Sequence, residues 1–239
     1  MAAGPIAPTW DRGGIVLTDP AAELLTLVRR VGFDAPRPID HRAADLVRRR
    51  FGLALPPPFA AAPAAGEERP VRLAVGIDGP AIASVKWRTY GTNYRGLLPD
   101  AFIDQRDIVP PVAFWIGRAA VPPSRRHSLA VWGRPGEVFA YCDAGPCRDD
   151  DVESAVTGEV YELYVDPSVQ GRGVGRVLLA EATERLRAAG CTDLRLWTLA
   201  ANTAAHAFYR QQGWEPDGTE RREDLGVVVF DEIRFRWAP

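Results

Sequence analysis

Between Leu163 and Gly175 the chain reads Leu-Tyr-Val-Asp-Pro-Ser-Val-Gln-Gly-Arg-Gly-Val-Gly, and this passage constrains the fold more than any other. It is entered from Glu159 to Val165, a run of strand formers. It leaves into Val174 to Ala189, where Leu178, Leu179, Ala182 and Leu186 recur on one side of a helix that Gly190 stops. Glycine at 171, 173 and 175 removes every second side chain from the connection. Main-chain N–H groups can therefore converge on an anion at the positive end of the helix dipole. A pyrophosphate fits such a turn. A glycine-rich strand-to-helix connection with no ligand is the plainer reading of the glycines alone. Two nucleotide motifs fail on spacing. The dinucleotide fingerprint, counted from Gly171, needs glycine where Arg176 stands, and a P-loop needs Lys and Ser or Thr where Gly175 is followed by Arg176 and Val177.

Around this passage the chain from Val71 onward alternates strand and helix patterns. A strand is expected at 71–75, helices at 80–90 and 100–106, and a hairpin of 127–132 with 137–142 about Gly133-Arg134-Pro135-Gly136. A strand at 194–199, a helix at 203–212 stopped by Gly213, and an alternating strand at 227–237 complete the reading. The class is α/β, with a mixed sheet. The N-terminal part differs. Asp19-Pro20 opens an apolar stripe of Leu24, Leu25, Leu27, Val28 and Val31, and a second amphipathic pattern runs from Asp40 to Phe51. Alanine and proline dominate from Pro56 to Pro70. The organisation expected is a helical appendage at 1–55, a linker at 56–70 and the main domain at 71–239. So small an appendage gains too little apolar burial to stand alone. It is expected to dock on the main domain or on a second copy of the chain, as a homodimer.

A net charge of −2 offers no general attraction to nucleic acid. Arg48-Arg49-Arg50 reads as the solvated face of a helix, with a nucleic-acid or protein docking element as the rival reading. Lys86 is the one lysine among 29 basic residues, a usage that fits a GC-rich, bacterial genome. The first ten residues lack a signal-peptide pattern, and no stretch approaches the roughly 20 apolar residues that span a bilayer. Three cysteines, Cys142, Cys147 and Cys191, leave at least one unpaired. A cytoplasmic protein without membrane attachment is expected. Cys142, Cys147 and His127 have poor spacing for zinc, so no metal is expected.

Gln170 to Gly175, read as Q-x-x-G-x-G after Leu-Tyr-Val-Asp-Pro, resembles the acyl-CoA signature of the GNAT N-acyltransferases. A second element stands in register, with Leu-Trp-Thr-Leu-Ala-Ala-Asn ending at Asn202 and Tyr209 seven residues on in Ala-Phe-Tyr-Arg-Gln-Gln-Gly-Trp. Trp87-Arg88 and Tyr94 to Asp100 look like the acceptor-side helices of one bacterial branch. The resemblance spans about Val71 to Trp237. It implies a mostly antiparallel sheet, flanked by helices and splayed where acyl-CoA enters.

By the same resemblance, amides of Gln170, Gly171, Arg172, Gly173, Val174 and Gly175 hold the CoA pyrophosphate. Main-chain groups of Leu163 and Val165 pair with the pantetheine arm, and the Val165 amide faces the thioester oxygen. Asn202 adds a cofactor contact to its role as a helix cap. Tyr209 is the acid for the leaving thiolate, and Glu159 the base for the amine. Strand alternation sets the rival Glu162 on the opposite face from Glu159, Tyr161 and Leu163, unless a bulge intervenes. The glutamate that some relatives carry is replaced here by Trp197. Trp87, Tyr90, Tyr94 and Trp197 are candidates for the acceptor groove, with core packing as their plain alternative.

The activity implied is transfer of an acyl group, acetyl above all, from acetyl-CoA to a primary amine by direct attack in a ternary complex. The rival of another class is an acyl-CoA-binding sensor without turnover, against which Tyr209 speaks. A small-molecule amine is the first choice of acceptor. A protein N-terminus or lysine and an aminoacyl-RNA are the alternatives.

Overall fold

The computed structural model describes residues 9–11, 14–16, 63–64, 69–104, 112–120, 127–226 and 228–238. The helices expected within 1–55, most of the 56–70 linker and the end of the 100–106 helix lie outside these residues. Thr9–Asp11 (β1) and Gly14–Val16 (β2) form a separate antiparallel ladder.

The remaining strands are Val71–Leu73 (β3), Ser128–Arg134 (β4), Glu137–Pro146 (β5), Thr157–Val165 (β6), Asp193–Leu199 (β7), Trp214–Asp224 (β8) and Val229–Trp237 (β9). Among the described residues they form one seven-stranded sheet in the order β3-β4-β5-β6-β7-β9-β8. Only β6 and β7 are parallel within it, as a strand–helix–strand crossover requires. The helices are Gly79–Asn93 (α1), Asp100–Ile103 (α2), Val112–Ala120 (α3), Val174–Ala188 (α4) and Thr203–Gln211 (α5). The expected strand at 227–237 and helix at 203–212 appear with ends shifted by one or two residues. α3 and β8 were not foreseen in the sequence.

Two cores sandwich the sheet. On one face Ala81, Ile82 and Val85 of α1 and Trp115 and Ile116 of α3 bury against Leu129, Val131 and Tyr141. Gly79 makes this possible, since a Cβ there would lie 2.5 Å from the Ile116 nitrogen. On the other face Leu178, Leu179 and Leu186 of α4 bury against Cys142, Val160, Leu194 and Leu196, with Trp214 and Phe235 beside them. Asp78, fully buried, accepts from Arg72 Nη1 and Nη2 at 2.7 and 2.9 Å and from the Val75 and Gly136 amides at 2.8 Å. One carboxylate thus fastens β3, the β4–β5 turn and the approach to α1, and its charge is fully bonded where burial would otherwise penalise it.

Candidate active site

The parallel pairing of β6 with β7 covers Thr157 to Val160 against Asp193 to Leu196 and goes no further. Beyond it, Trp197 to Leu199 stay with β9 through Arg234, Ile233 and Glu232. Tyr164 and Val165 stay with β5 through Tyr141 and Ala140. The sheet therefore opens as a V between the ends of the two strands. At its vertex Asp143 opposes Glu162 while Ala144 opposes Val160, so Tyr161 is the extra residue of a bulge. The Asp166 amide donates to the Phe139 carbonyl at 2.8 Å. That bond sets the phase of the ladder, in which Glu162 and Tyr164 turn their amides to β5 and Leu163 and Val165 turn theirs into the gap. A strand-like ligand can bond there. Gln170 Nε2 reaches the Val165 carbonyl at 2.9 Å.

The V leads to the glycine turn. Asp166 receives Arg88 of α1 and accepts the Ser168 amide at 2.9 Å, which holds the start of the turn. Gly171 and Gly173 have φ of +74° and +79°, conformations that L side chains disfavour. Gly173 immediately precedes α4, whose first-turn amides have no partners within the helix. A Cβ on Gly171 would meet nothing within 4 Å, so the outer side of the turn is open. Arg172 extends away along the protein, donating to the Pro63 carbonyl at 2.6 Å and to the Ser168 carbonyl at 3.1 Å. The residues present fit an anion held by main-chain amides. The Val174 side chain is buried in the α4 core, so only its amide can face the turn.

Across the gap, Asn202 caps α5, its Oδ1 accepting the Ala205 amide at 3.1 Å. On α5, Tyr209 packs between Phe208 and Phe235 at 5.3 and 5.8 Å. Burial pushes its phenol above the ordinary range, and the nearby Cys142 thiol adds to the shift. Tyr94 lies near enough for Tyr209 to act on it electrostatically.

The structure rearranges the expected carboxylates. Because of the bulge, Glu159 and Glu162 share the α1 face of the sheet, while Leu163 turns to the α4 face; the alternation expected from the sequence fails at Tyr161. Glu159 is 2% exposed and lies where β6 is still paired to β7. Arg148 encloses it, with Nη2 to Oε1 at 2.6 Å, Nε to Oε2 at 3.2 Å and its amide to Oε2 at 2.9 Å. Glu162 stands past the bulge, along the open arm. It accepts from Tyr141 Oη at 2.6 Å and from Lys86 Nζ, with 23% of its side chain exposed.

Tyr90 and Tyr94 stack at 4.4 Å and lean on Tyr164, and burial raises all three phenols. Tyr90 feels the charges of both Glu162 and Glu232, one on each side of the V. Leu98, Phe102 and Ile103 cross over and bury against Leu199 and Val228, which roofs the opening. Trp197 stands outside this group. Its Nε1 donates to Asp149 at 2.9 Å under the Arg221 guanidinium at 4.2 Å. Trp87 is 40% exposed on the outer side of α1. Lys86, Tyr141 and Tyr164 are given no role by the sequence reading; the one signal available is the solitary lysine. No cluster of His, Cys, Asp and Glu suited to a metal occurs among the described residues.

Comparisons agree with this geometry. The chain is 45% identical over 65 residues to the mycothiol acetyltransferase of Beutenbergia cavernae, a match covering 27% of this chain and 22% of that protein. The chain thus spans about a fifth of the length of that curated relative. Among solved structures, the paia N-acetyltransferase of Thermoplasma acidophilum in complex with coenzyme A superposes with a TM-score of 0.53 at 14% identity, over 72% of this chain and all of that one. The yncA protein of Salmonella typhimurium, a putative acetyltransferase solved with acetyl-CoA, gives 0.53 at 20% identity over 72% of this chain and 94% of that one. At such identities the likeness speaks for the fold. The sequence match is the stronger statement: residues 89–214, from α1 through the V and the glycine turn to the start of β8, match the Acetyltransferase (GNAT) family, and the chain belongs to it.

Proposed function

We propose that this chain transfers an acetyl group from acetyl-CoA to a primary amine by direct attack in a ternary complex. The observation that carries the reading is the V between β6 and β7, which opens at the Tyr161 bulge and runs into the left-handed glycine turn. The relatives' names support it. Amides from Gln170 to Gly175 hold the pyrophosphate, supported by the α4 dipole. Leu163 and Val165 bond the pantetheine arm, and the Val165 amide meets the charge that grows on the thioester oxygen. Asn202 borders the donor on the far arm of the V.

Glu162 serves as the proton acceptor here, rather than Glu159. It lies on the open arm and is partly exposed, while Glu159 is enclosed by Arg148 in the paired part of the sheet. As the amine nitrogen bonds to the carbonyl carbon, its proton passes to Glu162, directly or through water. The carbon–sulfur bond then breaks, and the thiolate takes the Tyr209 proton. Burial keeps that phenol protonated at neutral pH.

The test is thermal shift followed by turnover. Acetyl-CoA should raise Tm while NADH and ATP leave it unchanged, and an amine panel should show release of free CoA. A shift from NADH equal to that from acetyl-CoA would sink the assignment. Binding without release from any amine would leave an acyl-CoA sensor.

A further inference from the structure

We propose that Lys86 neutralises the proton acceptor, so that the cleft selects an amine that arrives uncharged: an α-amino group of pKa near 8 rather than an alkyl amine of the lysine or polyamine kind. This rests on the transferase reading and on Glu162 as base.

Lys86 is the chain's one lysine and is 6% exposed on the inward side of α1. Its Nζ bonds Glu162 and sits 5.6 and 5.7 Å from the ring centres of Tyr164 and Trp115. The protein has therefore already placed an alkylammonium against the carboxylate and aromatic rings that would receive one from an acceptor. The second Glu162 oxygen is taken by Tyr141.

The neighbouring carboxylates on this face are matched too. Asp143, opposite Glu162 in the β5–β6 ladder, is bonded by Arg118 of α3. Glu159 is bonded by Arg148, and Glu232, across the V, by Arg221 of β8 at 2.6 Å. Four carboxylates draw four cations, from α1, α3, β8 and the loop after β5. Asp149, Asp151 and Asp217 gather on Arg234 at 3.0, 2.8 and 2.7 Å. The other titratable groups that feel the Glu162 charge include the phenols of Tyr90, Tyr94, Tyr141 and Tyr164 and the Cys142 thiol. Burial and that charge raise all five, so they supply no negative charge at neutral pH.

An ammonium entering beside Glu162 thus meets a carboxylate whose charge is spent, with Lys86 repelling it at close range. A neutral amine meets no such repulsion. At pH 7 the neutral fractions of an α-amine and a lysine-type amine differ by about 300-fold, from ordinary values near 7.8 and 10.4.

The experiment uses the full chain, acetyl-CoA and lysinamide, which carries both amines on one molecule. Mass spectrometry reads which nitrogen is acetylated. The wild-type chain should favour the α-nitrogen by about 100-fold or more at pH 7, and the preference should shrink as pH approaches 10. Lys86→Met leaves Glu162 charged and unmatched and should cut the ratio at least tenfold, whereas Lys86→Arg, which keeps the charge, should hold it. Acetylation of the ε-nitrogen as readily as the α-nitrogen by wild type overturns the proposal, as does a ratio unmoved by Lys86→Met. Either result leaves the transferase reading standing, because acetyl transfer will have occurred. Failure of every amine in the panel to release CoA overturns that reading instead, and this proposal with it.

Discussion

Tyr209, proposed as the acid, is wedged between Phe208 and Phe235, with its phenol pushed up by burial. Tyr209→Phe keeps that packing and deletes only the proton donor. It should lower kcat on the order of 100-fold with little change in acetyl-CoA affinity; a loss under about threefold would assign the proton to water. Glu162→Gln should lower kcat on the order of 100-fold at neutral pH, the loss expected of one proton acceptor. Glu159→Gln should leave kcat within about threefold and instead lower Tm, since Arg148 would keep a weaker partner. Both glutamates are visible in the sequence, and strand alternation favours Glu159. That rule assumes an unbroken pleat, and one extra residue at Tyr161 brings both glutamates to the same face. Asp143 adds a pH dependence of its own. Burial raises its carboxyl to about 6 against the downward pull of Arg118, from an unfolded value near 3.9. The folded chain therefore binds more protons than the unfolded one between these values, and stability falls as pH rises through that window. The wild-type stability relative to Asp143→Asn should decline by on the order of 2 kcal/mol from pH 4 to pH 7, measured by denaturant titration.

At the scale of elements, the passage from β6 through the turn into α4 was the most legible part of the fold, because three local signals coincide there. β-formers end at Asp166-Pro167, glycines occupy the left-handed positions 171 and 173, and a strict apolar period follows. Gly173→Glu should abolish the acetyl-CoA thermal shift, since the residue sits at φ +79° and its carboxylate would occupy the anion's place. The cap of α5 can be tested separately. Asn202→Ala removes the bond to the Ala205 amide and should cost about 1 kcal/mol, or roughly 2–4 °C in Tm. Two elements were hidden for physical reasons. β8 contains Pro216, Gly218 and a run of charges that no strand pattern predicts. It is an edge strand whose outer side faces water, held to β9 by pairs such as Arg221 with Glu232. α3 is short and carries Gly117, and its helicity is supported by the burial of Trp115 and Ile116 against α1.

At the scale of the whole molecule, the N-terminal 70 residues bear on the proposed site through the few of them that touch the catalytic domain. The composition of 56–70 reads as a linker, and every residue proposed to hold acyl-CoA follows it. Yet two residues fasten its end to the catalytic domain. Arg69 bonds Glu137 at 2.7 Å and lies over the Phe139 ring at 5.3 Å, and Pro63 is buried with its carbonyl on Arg172 of the glycine turn. The effective boundary for cofactor binding is therefore placed near Pro63 rather than at Val71. Removing residues 1–62 should leave a folded chain that binds acetyl-CoA as the full chain does, in isothermal titration. Removing residues 1–69 deletes the acceptor for Arg172 and the Arg69 contacts. Arg172 keeps its Ser168 bond, and the loss of one bond of this kind is worth on the order of 1 kcal/mol, so affinity should fall about fivefold while the fold persists. Equal affinity in the two truncations would show that the Pro63 contact is incidental. Loss of all binding in a soluble, folded 63–239 chain would place part of the donor site in the first 62 residues.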